Sequence, residues 1–80
     1  MTRKEILEKL TPIFQEVFND NEMEVNLELT SDDIDEWSSV SQALLITEIE
    51  QKFAIRFKLL EVAKMDNVGT IVSIIEEKIV

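Results

Sequence analysis

The stretch EWSSVSQALL, residues 36–45, sets three hydroxyls, Ser38, Ser39 and Ser41, just after the chain's one tryptophan, Trp37. Serines at the entrance to an apolar run suit two kinds of chemistry. They cap the unpaired amides of a helix N-terminus, or one of them projects from the first turn as a point of attack or attachment. A phosphate ester placed there would sit in the favourable field of the helix end. An unaided nucleophile needs a base that works near neutral pH, and the chain contains no histidine, so a serine–histidine dyad is excluded. It contains no cysteine, which removes thiolate chemistry, disulfides and cysteine-ligated zinc. Gly69 is the only glycine, so no glycine-rich loop cradles a phosphate. Any reactive group that this protein handles must therefore come from outside the chain.

The acid-rich SDDIDEW segment invites a test for calcium. A loop of the EF-hand type needs glycine sixth and glutamate twelfth. Counting from Asp33 puts Ser38 and Leu44 there, and counting from Asp20 puts Val25 and Ser31, so neither register works and no metal site is expected. Charge is informative in another way. From Leu10 to Gln51 there is no lysine or arginine but there are eleven acids, within a net charge of −9. Such a field repels nucleic acid and favours basic partners.

The elements that must position these residues read as helical. Ile6, Leu10, Ile13, Phe14, Val17 and Phe18 recur at three- and four-residue spacings, and Thr2 with Glu5 matches a capping box. Pro12 falls inside this helix and predicts a bend near Thr11. Residues 19–38 read as a long ordered loop pinned by Leu27, Leu29 and Ile34. Val25, Leu27 and Leu29 alternate as in a strand, but no second such segment exists to pair with them. A second helix begins at Ser38 or Ser39 and ends at Phe53, burying Leu45, Ile46, Ile49 and Phe53 and turning Ser41, Leu44, Glu48 and Gln51 toward solvent. A short helix near 59–64 follows. Asp66, Asn67 and Gly69 break the chain, and a last helix runs from about Val68 or Thr70 to Ile79. The 80 residues make one small domain of ordinary hydrophobic content, 45%. With no apolar run of membrane-spanning length and no signal peptide after Met1, a cytoplasmic monomer without membrane insertion is expected.

The segment DEWSSVSQALLITEIEQKFAIRF resembles the acyl carrier protein family, whose members open their second helix with Asp-Ser-Leu and often with Trp-Asp-Ser-Leu-Ser. Trp37, Ser39 and Ser41 match the tryptophan, the modified serine and the second serine. Ile49, Glu50, Phe53, Ile55 and Phe57 continue the pattern, and Asn67-Val68-Gly69 resembles the turn before the family's last helix. The resemblance implies an all-α, four-helix bundle, three main helices and one short, with a long first loop. It also implies 4′-phosphopantetheine transferred from coenzyme A to Ser39 by a phosphopantetheinyl transferase, an arm that carries acyl or aminoacyl groups as thioesters, and no catalysis by the chain itself. Acyl- or aminoacyl-loading ligases and synthases with basic docking surfaces are the implied partners. On positional grounds they would meet Glu36, Val40, Leu44, Glu48 and Gln51. Two residues depart from the family: Ser38 stands in place of Asp and Val40 in place of Leu. Ser38 can still cap the helix, and it is a second, lesser candidate for attachment. Trp37 is expected to plug the loop, with contact to the arm as its other role. The alternative function is an unmodified, carrier-like module that binds partners through its acidic helix.

Overall fold

The computed structural model describes residues 1–79 as four helices and one 3₁₀ turn: α1 Arg3–Val17, the turn Ser31–Asp33, α2 Ser39–Phe53, α3 Leu59–Ala63 and α4 Val68–Ile79. The architecture is all-helical, with three main helices and one short, as the sequence implies. Among the described residues the only β-type pairing is an isolated bridge between Thr30 and Asn67, and no helix is long and apolar enough to cross a membrane.

α1 starts where the sequence signals it. The Thr2 hydroxyl accepts the Glu5 amide at 3.1 Å, and the Glu5 carboxylate accepts the Thr2 amide at 2.9 Å. That backbone bond holds the Glu5 carboxyl below its ordinary range. The helix continues through Pro12 rather than stopping at Thr11, whose hydroxyl donates to the Leu7 carbonyl at 2.9 Å. α1 ends in a Schellman arrangement: the Asn19 and Asp20 amides reach the Glu16 and Gln15 carbonyls at 3.2 and 2.9 Å, with Asn19 left-handed at φ 52°. Ile6, Leu10, Ile13 and Phe14 are buried along one stripe of α1, which packs on α2 and α4; Leu45 and Ile49 of α2 and Val68, Ile71, Val72 and Ile75 of α4 are buried in the same core.

The alternating segment finds its partner in a helix end. The amides of Val68 and Gly69, orphaned at the start of α4, donate to the carbonyls of Leu29 and Leu27 at 2.9 and 3.1 Å. The next amide, that of Thr70, donates to the Asn67 side chain at 2.8 Å. Extended loop and helix N-terminus thus satisfy each other, and the loop is ordered without a sheet. One expectation changes as a result. Ile34 is buried as expected, but Leu27 contributes its carbonyl rather than its side chain, which is exposed, and Val25 is buried instead. Of the two starts that the sequence allows for the last helix, Val68 and Thr70, the structure takes the first, which puts Gly69 inside the first turn of α4; a Cβ there would stand 2.9 Å from the Leu27 oxygen.

α2 ends on Ala54 in the left-handed conformation, φ 54°, with both its amide and that of Ile55 donating to the Glu50 carbonyl. An alanine at a position that favours glycine is strained. Ala54→Gly should therefore stabilise the fold by about 1 kcal/mol, read as a rise in the urea midpoint with unchanged slope.

Candidate functional site

Three serines at one helix entrance have three separate environments. Ser38 is the N-cap of α2, in extended conformation, and its hydroxyl accepts the Ser41 amide at 3.5 Å, the long limit of such a bond. Ser41 answers more strongly. Its hydroxyl oxygen accepts the Ser38 amide at 2.7 Å, and its proton is directed to the Glu36 carbonyl at 2.8 Å, with the Ser38 carbonyl at 3.1 Å. Ser41 is correspondingly buried, at 8% exposure, whereas helical spacing placed it toward solvent. The capping bonds turn it back over the turn it closes, a local effect that periodicity does not register. Ser39, between them at the first helical position, is exposed and takes part in none of these bonds.

Trp37 holds the loop against α1. Its ring lies edge-on to Phe14, with centroids 5.6 Å apart at 75°, and tilted on Phe18 at 6.0 Å. Its indole N–H donates to the Gln42 side-chain oxygen at 2.6 Å. The amide nitrogen of Gln42 in turn donates to the carbonyls of Val62 and Met65, at 3.3 and 3.2 Å. One glutamine therefore ties together the loop plug, α2 and the C-terminal end of α3. Nothing in the sequence pattern singles it out, because its partners include two backbone carbonyls 20 and 23 residues away. The bracing matters because α3 buries no side chain of its own. A further restraint on α3 is the ion pair of Glu61 with Lys78, 2.9 Å; the Lys58 amide, and after it Lys78, holds the Glu61 carboxyl below its ordinary range.

These groups border a cleft of ≈ 260 Å³ that has Trp37, Ser38, Ser39 and Gln42 on one side and Val62, Ala63 and Met65 on the other. It is the smallest of the clefts described but the one that reaches the serines. A larger one, of ≈ 600 Å³, lies at the opposite end of α2 beside Ala54 and Arg56.

The residues expected to meet partners sit as a strip. Val40 and Leu44 are 72% and 52% exposed, one turn apart on α2, and Glu48 and Gln51 extend the same face at helical spacing. Glu36 is exposed just before the helix. Glu48 is half-buried, beside Pro12 and Ile13 of α1, and is thus the least accessible of the five. No group of side chains among the described residues is arranged to hold a metal ion.

The fold is thus an all-helical bundle with an exposed serine hydroxyl, that of Ser39, at the head of its second helix. No family model and no curated protein matches the chain. Among solved structures it is similar to the solution NMR structure of a holo acyl carrier protein from Geobacter metallireducens, at 39% identity and a TM-score of 0.83, over 90% of this chain and 83% of that one. The chain belongs to the acyl carrier protein family. It is a carrier protein and not an enzyme.

Proposed function

We propose that Ser39 is the attachment point of 4′-phosphopantetheine and that the chain presents acyl or aminoacyl groups as thioesters on that arm. The observation that carries this reading is the unengaged, exposed Ser39 hydroxyl at the first position of α2, flanked by two serines already committed to capping. The surroundings fit the group: the helix end favours an anionic ester, and the cleft beside Ser39 has the apolar walls of Val62, Ala63 and Met65 for the first part of an arm. When bound, the arm supplies the thiol that this cysteine-free chain lacks. In the attachment step the Ser39 oxygen forms a bond to the pantetheine phosphate of coenzyme A. The bond to the adenosine bisphosphate leaving group breaks, and the hydroxyl proton passes to the transferase. The chain's own part is to hold the hydroxyl exposed and the helix end intact.

The exposed strip of Val40 and Leu44, with Glu36 before it and Glu48 and Gln51 beyond, is the docking face for the transferase and for loading ligases and synthases. Its two apolar anchors lie in an acidic field, which suits basic partner surfaces. Incubation with coenzyme A and a broad-specificity transferase should add the mass of one phosphopantetheinyl group; an unchanged mass would favour the unmodified interaction module instead.

Ser38 is the observation that favours that second reading, since the family's aspartate is missing there. Its weak 3.5 Å cap and absent charge weaken the helix entrance at the place where a transferase would dock. Ser38→Asp should strengthen the cap and raise kcat/KM for modification about tenfold. A rate equal to wild type would show that the aspartate is dispensable in this chain.

A further inference from the structure

The acidic character of this protein reverses around α3. From Lys52 to Lys64 there are four cations, Lys52, Arg56, Lys58 and Lys64, and one acid, Glu61. Glu61 is neutralised by Lys78, whereas the two ion pairs of the described residues leave all four cations unpaired. All four are exposed. Between Lys58 and Lys64 stand Leu59 and Leu60, 85% and 77% exposed, the barest large apolar side chains among the described residues. At 100° per residue, Leu59, Ala63, Leu60 and Lys64 fall within one arc of about 140°, and each is exposed. The other face of α3, Glu61 and Val62, is turned inward.

We infer that this end of the molecule is a docking surface for an anionic lipid bilayer. Two adjacent, exposed leucines flanked by Lys58 and Lys64, the residues that cap the two ends of α3, have the chemistry of a shallow membrane contact: the apolar pair enters the acyl boundary and the lysines meet the headgroups. The charge favours an anionic surface: both residues that flank the leucines are exposed, unpaired lysines, and entry into lipid needs no complementary groove. The net charge of −9 opposes the approach. Screening at physiological salt shortens the reach of that charge to about 8 Å. Binding is thus weak, oriented and sensitive to salt. Val62 and Ala63 of α3 share a cleft with Ser39, so a carrier held by its α3 tip keeps its attachment serine close to the lipid. That consequence rests on attachment at Ser39; the lipid contact itself does not.

Sedimentation of the unmodified protein with vesicles provides the test, run in parallel on Ser39→Ala protein so that the result is independent of attachment. Vesicles containing phosphatidylglycerol should bind about tenfold more of either protein than phosphatidylcholine vesicles, and about 0.5 M salt should remove the difference. Leu59→Ser/Leu60→Ser should reduce the binding about tenfold and keep the wild-type circular dichroism, since neither leucine supports the core. Equal binding to both vesicle types, no binding to either, or binding unaffected by the double substitution would each overturn the proposal.

Discussion

Replacing Ser39 with alanine should abolish modification by coenzyme A and a transferase while leaving stability within about 0.5 kcal/mol of wild type. The two halves of this result have separate physical causes. In the proposed function the hydroxyl is the acceptor atom, so without it no bond to the phosphate can form. It supports nothing else: it is exposed, and the capping bonds of this corner run between Ser38, Ser41 and the Glu36 carbonyl. Alanine also has the best helix propensity, which offsets any small loss at the first turn. The neighbouring serine should behave in the opposite way. Ser41→Ala removes the 2.7 Å bond to the Ser38 amide and the 2.8 Å bond to the Glu36 carbonyl from a buried position. It should destabilise the fold by about 2 kcal/mol while leaving Ser39 open to modification. Chemical denaturation and intact mass on the two variants measure both quantities. Loss of stability in Ser39→Ala, or its retention in Ser41→Ala, would mean that the jobs of the serines are wrongly divided.

Gln42→Leu should destabilise the fold by about 2 kcal/mol and loosen α3 selectively. Leucine preserves most of the volume but offers neither donor nor acceptor. The Trp37 indole N–H and the carbonyls of Val62 and Met65 then lose their common partner. Each group is only partly buried, so water compensates in part, and the sum falls short of three full desolvation penalties of about 1–3 kcal/mol each. The second half of the prediction concerns location. α1, α2 and α4 share the apolar core, whereas α3 buries no side chain and, once Gln42 is gone, is held by the Glu61–Lys78 pair and by the segment after it, where Met65 is buried and the Asp66 carbonyl accepts the Ser31 amide. Amide exchange should therefore accelerate in residues 59–64 well before it does in the rest of the chain. Uniform acceleration would show that Gln42 acts on global stability alone and not as the tie between α2 and α3.

What the sequence made legible follows from how far each signal reaches along the chain. The bounds of α2 and the end of α4 could be read closely because apolar spacing and serine capping are local. Thr2 and Glu5 announce α1 within a single turn. The acyl carrier resemblance came from a contiguous stretch, Asp35 to Phe57, where residue types and helix position coincide. Features that depend on distant partners were hidden. Gln42 matters because of carbonyls in α3, and Gly69 because of a backbone oxygen at Leu27. The alternation of Val25, Leu27 and Leu29 was visible, but its partner was not, since that partner is the end of a helix and carries no period-2 pattern of its own. Ser41 shows a further limit: helical angle predicts the direction of a side chain but not its retreat into a cap. In Leu59 and Leu60 a pattern normally buried is exposed, and only the three-dimensional structure displays it.

The assignment of separate roles to Ser38 and Ser39 is tested most directly by locating the adduct. Protein incubated with coenzyme A and a transferase should be digested and its peptides fragmented by mass spectrometry, so that adjacent serines are distinguished. The phosphopantetheinyl mass should fall on Ser39 alone, with Ser38 unmodified. An adduct on Ser38, or no adduct on any peptide spanning residues 36–45 under conditions that modify another acyl carrier protein, would contradict it.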